Sequence, residues 1–216
     1  MAENKAEKPK VKSEKKAKHE PQVSAHGMYH YMNEAWKKPS KEFTVEIRGK
    51  MIGWRAGDRV TKLEKPTRLD KARSLGYKAK KGFVIFRSVV KRGGHIKARP
   101  GTRRRGKRQS VKKNLRMNYR WIAEQRVQNK YLNLEVLNSY PLSKDGKFGF
   151  FEVICVDPNA PEIKSDKDIN WICRPENRNR SLRGLTSAAK KSRGLRNKSR
   201  NLKIRPSLRA WHRKGR

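Results

Sequence analysis

The stretch Phe148 to Val156, FGFFEVICV, decides how this chain is read. It is apolar at nearly every position instead of every second one. A strand of that pattern must be covered on both faces and therefore lies inside a sheet. Asp145-Gly146 just before it marks a tight turn, so a partner strand precedes it. The alternation of Leu132, Leu134 and Val136 with polar residues predicts that half-buried strand. Tyr119, Ile122, Ala123 and Val127 fall on one face of a helix upstream. Phe83 to Val90, FVIFRSVV, is β-branched and aromatic enough for a further strand. Nearer the N-terminus, Tyr29, Met32 and Trp36 recur at helical spacing until Pro39. Ser40 then offers an N-cap for a second helix with Phe43, Ile47, Met51 and Trp54 along one face. These two runs predict a helical hairpin packed on the core.

The core these segments can build is small. Leu, Ile, Val and Phe number 41 of 216 residues, and 19 of the 41 lie in the two windows Phe83 to Val90 and Tyr119 to Val156. That total lies near the level of about 20% below which a highly charged chain does not pack throughout. One modest core is expected, with the remaining chain organised by a partner.

Charge names the kind of partner. Lys and Arg number 58 against 19 Asp and Glu, a net charge of +39, and such a chain attracts polyanions. The charge is not uniform. Tyr131 to Cys173 has seven acidic and four basic residues, whereas Lys91 to Arg116, KRGGHIKARPGTRRRGKRQSVKKNLR, has twelve basic residues, four Gly and no acid. Helix or sheet is not expected through most of that loop. Arg99, Arg103, Arg104, Arg105, Lys107 and Arg108 within it supply donors for phosphate oxygens. Arg174 to Arg216 carries sixteen Lys or Arg opposed only by Glu176, with Gly184, Gly194 and Pro206 interrupting long helices. The segment RLDKARSLGYKAKKGFVIFR from Arg68 places seven cations directly against the strand at Phe83. The expected organisation is a Lys/Glu-rich disordered arm over 1–26, a folded core over 27–173 interrupted by the basic loop 91–116, and a basic tail over 174–216. Three such segments in one chain point to RNA or DNA. Trp171, Trp211, His212 and Tyr77 lie among the cations and could stack on unpaired bases.

Other classes find no support. His19, His26, His30, His95 and His212 are scattered, and the carboxylates Glu135, Glu152 and Asp157 are read as solvated or capping. No acid–base or nucleophilic set converges, so no enzyme, cofactor or small-molecule substrate is expected. GYKAKKG lacks the Gly-Lys-Ser/Thr ending of a phosphate-cradling loop. Cys155 and Cys173 stand alone and are expected as reduced thiols, without zinc or disulfide, in a reducing compartment. No apolar window suggests a signal peptide or a membrane partner. A DNA-compacting architectural protein is the alternative, although heptads and a groove-reading helix are both missing from the pattern.

Several long motifs, in order, strongly resemble the archaeal and eukaryotic large-subunit ribosomal protein fifteen, the "fifteen-e" family. They are PTRLDKARSLGYKAKKGFVIFR from Pro66, LNSY at Leu137, FFEVICVDPNAP from Phe150 and RGLTSAAKKSRGL from Arg183. MYHYMNEAWKK from Met28 and KIRPSLRAW from Lys203 are similar to its archaeal branch in particular. The resemblance implies an α+β fold: a small, mostly antiparallel sheet with helices packed against it, plus a long loop and C-terminal tail that penetrate RNA. It implies a structural constituent of the large ribosomal subunit, cytoplasmic and in the ribosome, with large-subunit ribosomal RNA and neighbouring ribosomal proteins as partners. Carried onto this chain, it implies RNA contacts at Arg68, Lys71, Arg73, Lys78, Lys80, Lys81, Arg183, Lys190, Lys191 and Arg193. Arg205 and Arg209 of the tail join the same set. The arm Met1 to His26 departs from the family, whose members begin close to the MYxY stretch.

Overall fold

The computed structural model describes residues 26–97, 103, 111–113 and 115–196. Four strands form one antiparallel sheet: β1 (Val60–Leu63), β2 (Phe83–Lys91), β3 (Glu135–Lys144) and β4 (Phe148–Val156). Their order is β1-β2-β4-β3, so the strand apolar on both faces is indeed central. Val153 and Cys155 point to one face and Phe150 and Ile154 to the other, each against its own apolar cluster. The β3–β4 hairpin closes where Asp145 N donates to Phe148 O at 2.9 Å, at the Asp-Gly turn the sequence marks.

Six helices flank the sheet: α1 (Met28–Lys37), α2 (Lys41–Ala56), α3 (Leu69–Ser74), α4 (Tyr119–Lys130), α5 (Pro161–Lys164) and α6 (Ser187–Ser192). This is the α+β class expected. Helix α4 covers one face with Ala123 and Val127, beneath Phe86, Val136 and Val153. Trp54 of α2 and Ala72 of α3 cover the other, with Trp54 and Phe150 rings 5.4 Å apart. Ser40 caps α2 as read, its hydroxyl accepting from Phe43 N at 3.2 Å. The hairpin closes on Trp36 and Phe43, whose rings meet edge to face at 5.1 Å.

Three expectations are corrected. The strand read at Leu132 starts at Glu135 and runs on through LNSY; Leu132 is 75% exposed. The alternation is obscured because β3 changes register at Val136/Asn138 and again at Pro141/Ser143. Glu135 and Glu152 are buried, not solvated or capping. Asp157 by contrast keeps part of its surface in solvent, in line with the solvated reading, and accepts from Asn159 N at 2.9 Å in a local turn. Cys155 is buried, Cys173 is half-buried, and both are free thiols. No helix among the described residues is long and apolar enough to cross a membrane.

Candidate nucleic-acid interface

The basic segment ahead of β2 is fastened at both ends. At its start Thr67 N donates to both carboxylate oxygens of Glu152 at 3.2 Å, tying the chain to the central strand. Arg68 follows with its side chain only 14% exposed: it pairs with Asp70 at 3.0 Å and lies 4.7 Å over the Trp36 ring. Buried Ala72 fixes the roll of α3, so Lys71 and Arg73 face out. The Arg73 guanidinium sits 5.5 Å over Tyr29. At the far end Gly82 has φ +89°, and a Cβ there would lie 2.5 Å from Ile163 Cγ1. Glycine is what lets β2 begin so close to α5.

Between those ends, two predicted RNA contacts pair with acids of the same chain. Lys78 Nζ reaches Asp166 and Asp168, both at 2.9 Å, and Lys80 Nζ reaches Asp166 at 2.5 Å and Glu162 O at 3.0 Å. The hydrogen bonds from Lys80 and Lys78 hold the Asp166 carboxyl well below the usual carboxylate range, and those to Asp168 and Asp166 raise the Lys78 ammonium. Lys81, next in line, is exposed.

On the other face, α4 is joined to residues 174–196, which the charge pattern assigns to the tail. Asn118 caps α4 by accepting from Trp121 N at 2.7 Å and donates to Ala188 O at 2.9 Å. The Trp121 indole donates to Ser181 O at 2.6 Å. Beneath them lies Glu124, fully buried, accepting from the hydroxyls of Ser139 and Thr186. Burial pushes its carboxyl above the ordinary range, with those hydroxyls and the charges of Arg120 and Arg180 opposing. Arg120 donates to Ser139 Oγ at 2.7 Å and Asn138 Oδ1 at 2.6 Å. Arg180 donates to Val136 O at 3.2 Å and covers the Trp171 ring at 4.6 Å. These arginines hold the fold together, and nothing in local sequence separates them from RNA-binding ones.

Of the candidate tail residues, Lys190 and Lys191 are exposed at the C-terminal end of α6, where helix polarity favours cations. Arg183 donates to Glu176 O at 2.5 Å and Arg193 to Gly184 O at 3.0 Å, so both brace turns while remaining half-exposed. Arg205 and Arg209 lie outside the described residues, as do Arg99, Arg104, Arg105, Lys107 and Arg108 of the loop. Arg103 is exposed at φ 63°.

The loop is anchored by a paired base. Ile96 bridges Lys112 antiparallel, with Lys97 N donating to Val111 O at 2.9 Å and Lys113 N to His95 O at 2.7 Å. The outgoing and returning chains therefore leave the sheet as a ribbon, which the Gly and Arg content hides from a sequence reading. Of the proposed stacking residues, Tyr77 packs edge to face on Phe83 at 5.9 Å and Trp171 lies under Arg180. Trp211 and His212 are outside the described residues.

A near-neutral sheet core thus displays cations from α3, the turn before β2, the loop ribbon and α6. The ribosomal L15 family model matches residues 27–211 of this sequence. The chain belongs to the ribosomal L15 (L15e) family. The matched span takes in every motif quoted for the resemblance and leaves out the Lys/Glu-rich arm. As an L15e protein it is a large-subunit ribosomal protein, an RNA-binding component of the ribonucleoprotein machinery of translation.

Proposed function

We propose that this L15e protein is a structural constituent that stabilises folded large-subunit rRNA through Lys and Arg contacts to phosphate, without catalysis. The carrying observation is the division of its cations into two sets. Arg68, Lys80, Arg120 and Arg180 are consumed by internal acids, carbonyls and rings and Lys78 pairs with Asp166 and Asp168 at the surface, whereas Lys71, Lys81, Arg103, Lys190 and Lys191 are exposed. The exposed set, extended by the arginines of the loop and tail, grips RNA. Contacts of this kind position the protein without reading sequence. They suit folded RNA, whose packed phosphates, 2′-hydroxyls and shape are what can be recognised. No observation favours DNA compaction. The archaeal reading rests on MYHYMNEAWKK and KIRPSLRAW.

The test is a salt titration of full-chain binding to large-subunit rRNA. Each phosphate contact contributes a slope of about −0.7 to −0.9 in log K against log salt. Lys71→Ala, Lys81→Ala and Lys190→Ala should each flatten the slope by about one contact. Slopes unchanged in all three variants would contradict the assignment.

A further inference from the structure

Where the loop ribbon leaves the sheet, residues 93–96, 111–113, 115 and 117–119 line an open groove of about 900 Å³. That volume lies in the range of about 300–1,000 Å³ typical of small-molecule sites. His95 and Tyr119 form one wall, ring centroids 6.1 Å apart, with Tyr119 Oη 3.4 Å from His95 Nε2. Both rings are half-buried, so each keeps part of its surface toward solvent. Ile96 and Val111 are 72% and 47% exposed, an unusual apolar surface among so many cations. Gly93 and Gly94 meet nothing within 4 Å where a Cβ would stand, leaving the backbone open at the rim. Lys112 and Lys113 line the groove, and Lys97 and Arg116 adjoin its lining in sequence.

We infer that this groove takes an unpaired nucleobase of the bound RNA. The inference rests on the RNA-binding reading and adds a site to it. The groove offers two surfaces at once: aromatic and aliphatic faces for a planar ring, and cations for the phosphates on either side of it. A base flanked by its own backbone matches both. An apolar protein side chain would use the faces and make no use of the exposed charge of Lys113. Stacking tolerates any base, because each has a π face. The groove therefore requires an unpaired nucleotide and no particular letter. It also replaces Tyr77 and Trp171 as stacking partners, since those two rings are spent on Phe83 and Arg180.

The test uses the full chain and a single-stranded RNA decamer carrying one 2-aminopurine in a uridine context. Wild type should quench the 2-aminopurine fluorescence. His95→Ala should weaken binding about fivefold or more, the low end of what losing one base–aromatic stack gives, while leaving the salt slope unchanged. His95→Trp should restore both affinity and quenching, which separates stacking from a folding defect. Lys113→Ala should instead flatten the slope by about 0.7. If wild type binds the decamer with the expected salt dependence but His95→Ala and His95→Trp behave as wild type, the groove is not a base site and the RNA-binding reading survives. If His95→Ala leaves RNA binding intact and removes a cross-link to another ribosomal protein, the groove docks protein and the inference is overturned. Failure of wild type to bind RNA at any salt would overturn both.

Discussion

Tyr140 of β3 donates its hydroxyl hydrogen bond to Glu152, its register partner on the central strand β4, in the middle of a buried face. The same carboxylate accepts from Thr67 N at the start of the basic segment. One buried charge therefore joins the two long strands to the chain that presents Lys71 and Arg73. Arg87, opposite Glu152 on β2, supplies compensating charge, and its guanidinium overlies the Trp54 ring at 5.1 Å.

Tyr140→Phe should destabilise the fold by about 1–3 kcal/mol, because it leaves a buried carboxylate oxygen short of a donor. Denaturant unfolding checks this. A variant as stable as wild type would mean that Glu152 is satisfied without the hydroxyl.

Glu152 also predicts a pH dependence. Burial raises its carboxyl above the ordinary 4.5, so the folded state binds a proton more tightly than the unfolded chain. The stability this contributes is complete below about 4.5 and is lost as pH rises toward the folded value. Glu124 and Glu135 are raised in the same direction by burial. Asp166 is lowered, and its contribution is lost instead as pH falls below 3.8. Glu152→Gln removes one of the first kind, so its deficit relative to wild type should shrink between pH 4.5 and 7. A deficit that grows over that interval would reverse the sign.

Phe150 and Phe151 are adjacent but unequal. Phe150 is fully buried against Trp54, whereas Phe151 is half-buried at the edge of the α4 cluster. Phe150→Ala should cost about 3–5 kcal/mol and Phe151→Ala distinctly less. Thermal unfolding of the pair decides, and equal losses would mean the two faces are packed alike.

Gly82→Ala combines a left-handed backbone with a clash against Ile163, and should destabilise by about 2 kcal/mol or more. Adding Ile163→Val should not restore stability, because valine keeps the γ-carbon that stands 2.5 Å away and the backbone strain stays as well. Full recovery in the double variant would contradict both causes.

How much of this was legible in the sequence depended on how local the cause was. The face Phe43, Ile47, Met51 and Trp54 and the doubly apolar β4 declare themselves within a few residues, and the structure keeps both. The length of β3 did not, because two register shifts and Pro141 break its alternation. Glu152 reads as a solvated or capping carboxylate, since its partners Tyr140 and Thr67 are 12 and 85 positions away, and Glu124 meets Thr186 across 62 positions. Residues 174–196 looked like tail because charge hid Ser181, Thr186, Ala188 and Ala189, small residues that pack inside. Within RLDKARSLGYKAKKG, only distant Asp166 and Asp168 distinguish Lys78 and Lys80 from Lys71 and Lys81.

That distinction gives a further prediction. Lys80→Ala should flatten the salt slope of RNA binding less than Lys81→Ala, because an ammonium already paired with Asp166 releases fewer counterions. Equal changes would mean that the acidic pair lets go of Lys80 when RNA binds.

Exposed cations that grip large-subunit RNA should hold this chain in the large ribosomal subunit. Sedimentation of a cell extract, at low and at high salt, with the chain followed across the gradient, tests it most directly. Co-migration with the large subunit should survive moderate salt and be lost at high salt. Recovery of the chain in nuclease-sensitive DNA complexes, away from the subunit peak, would contradict it.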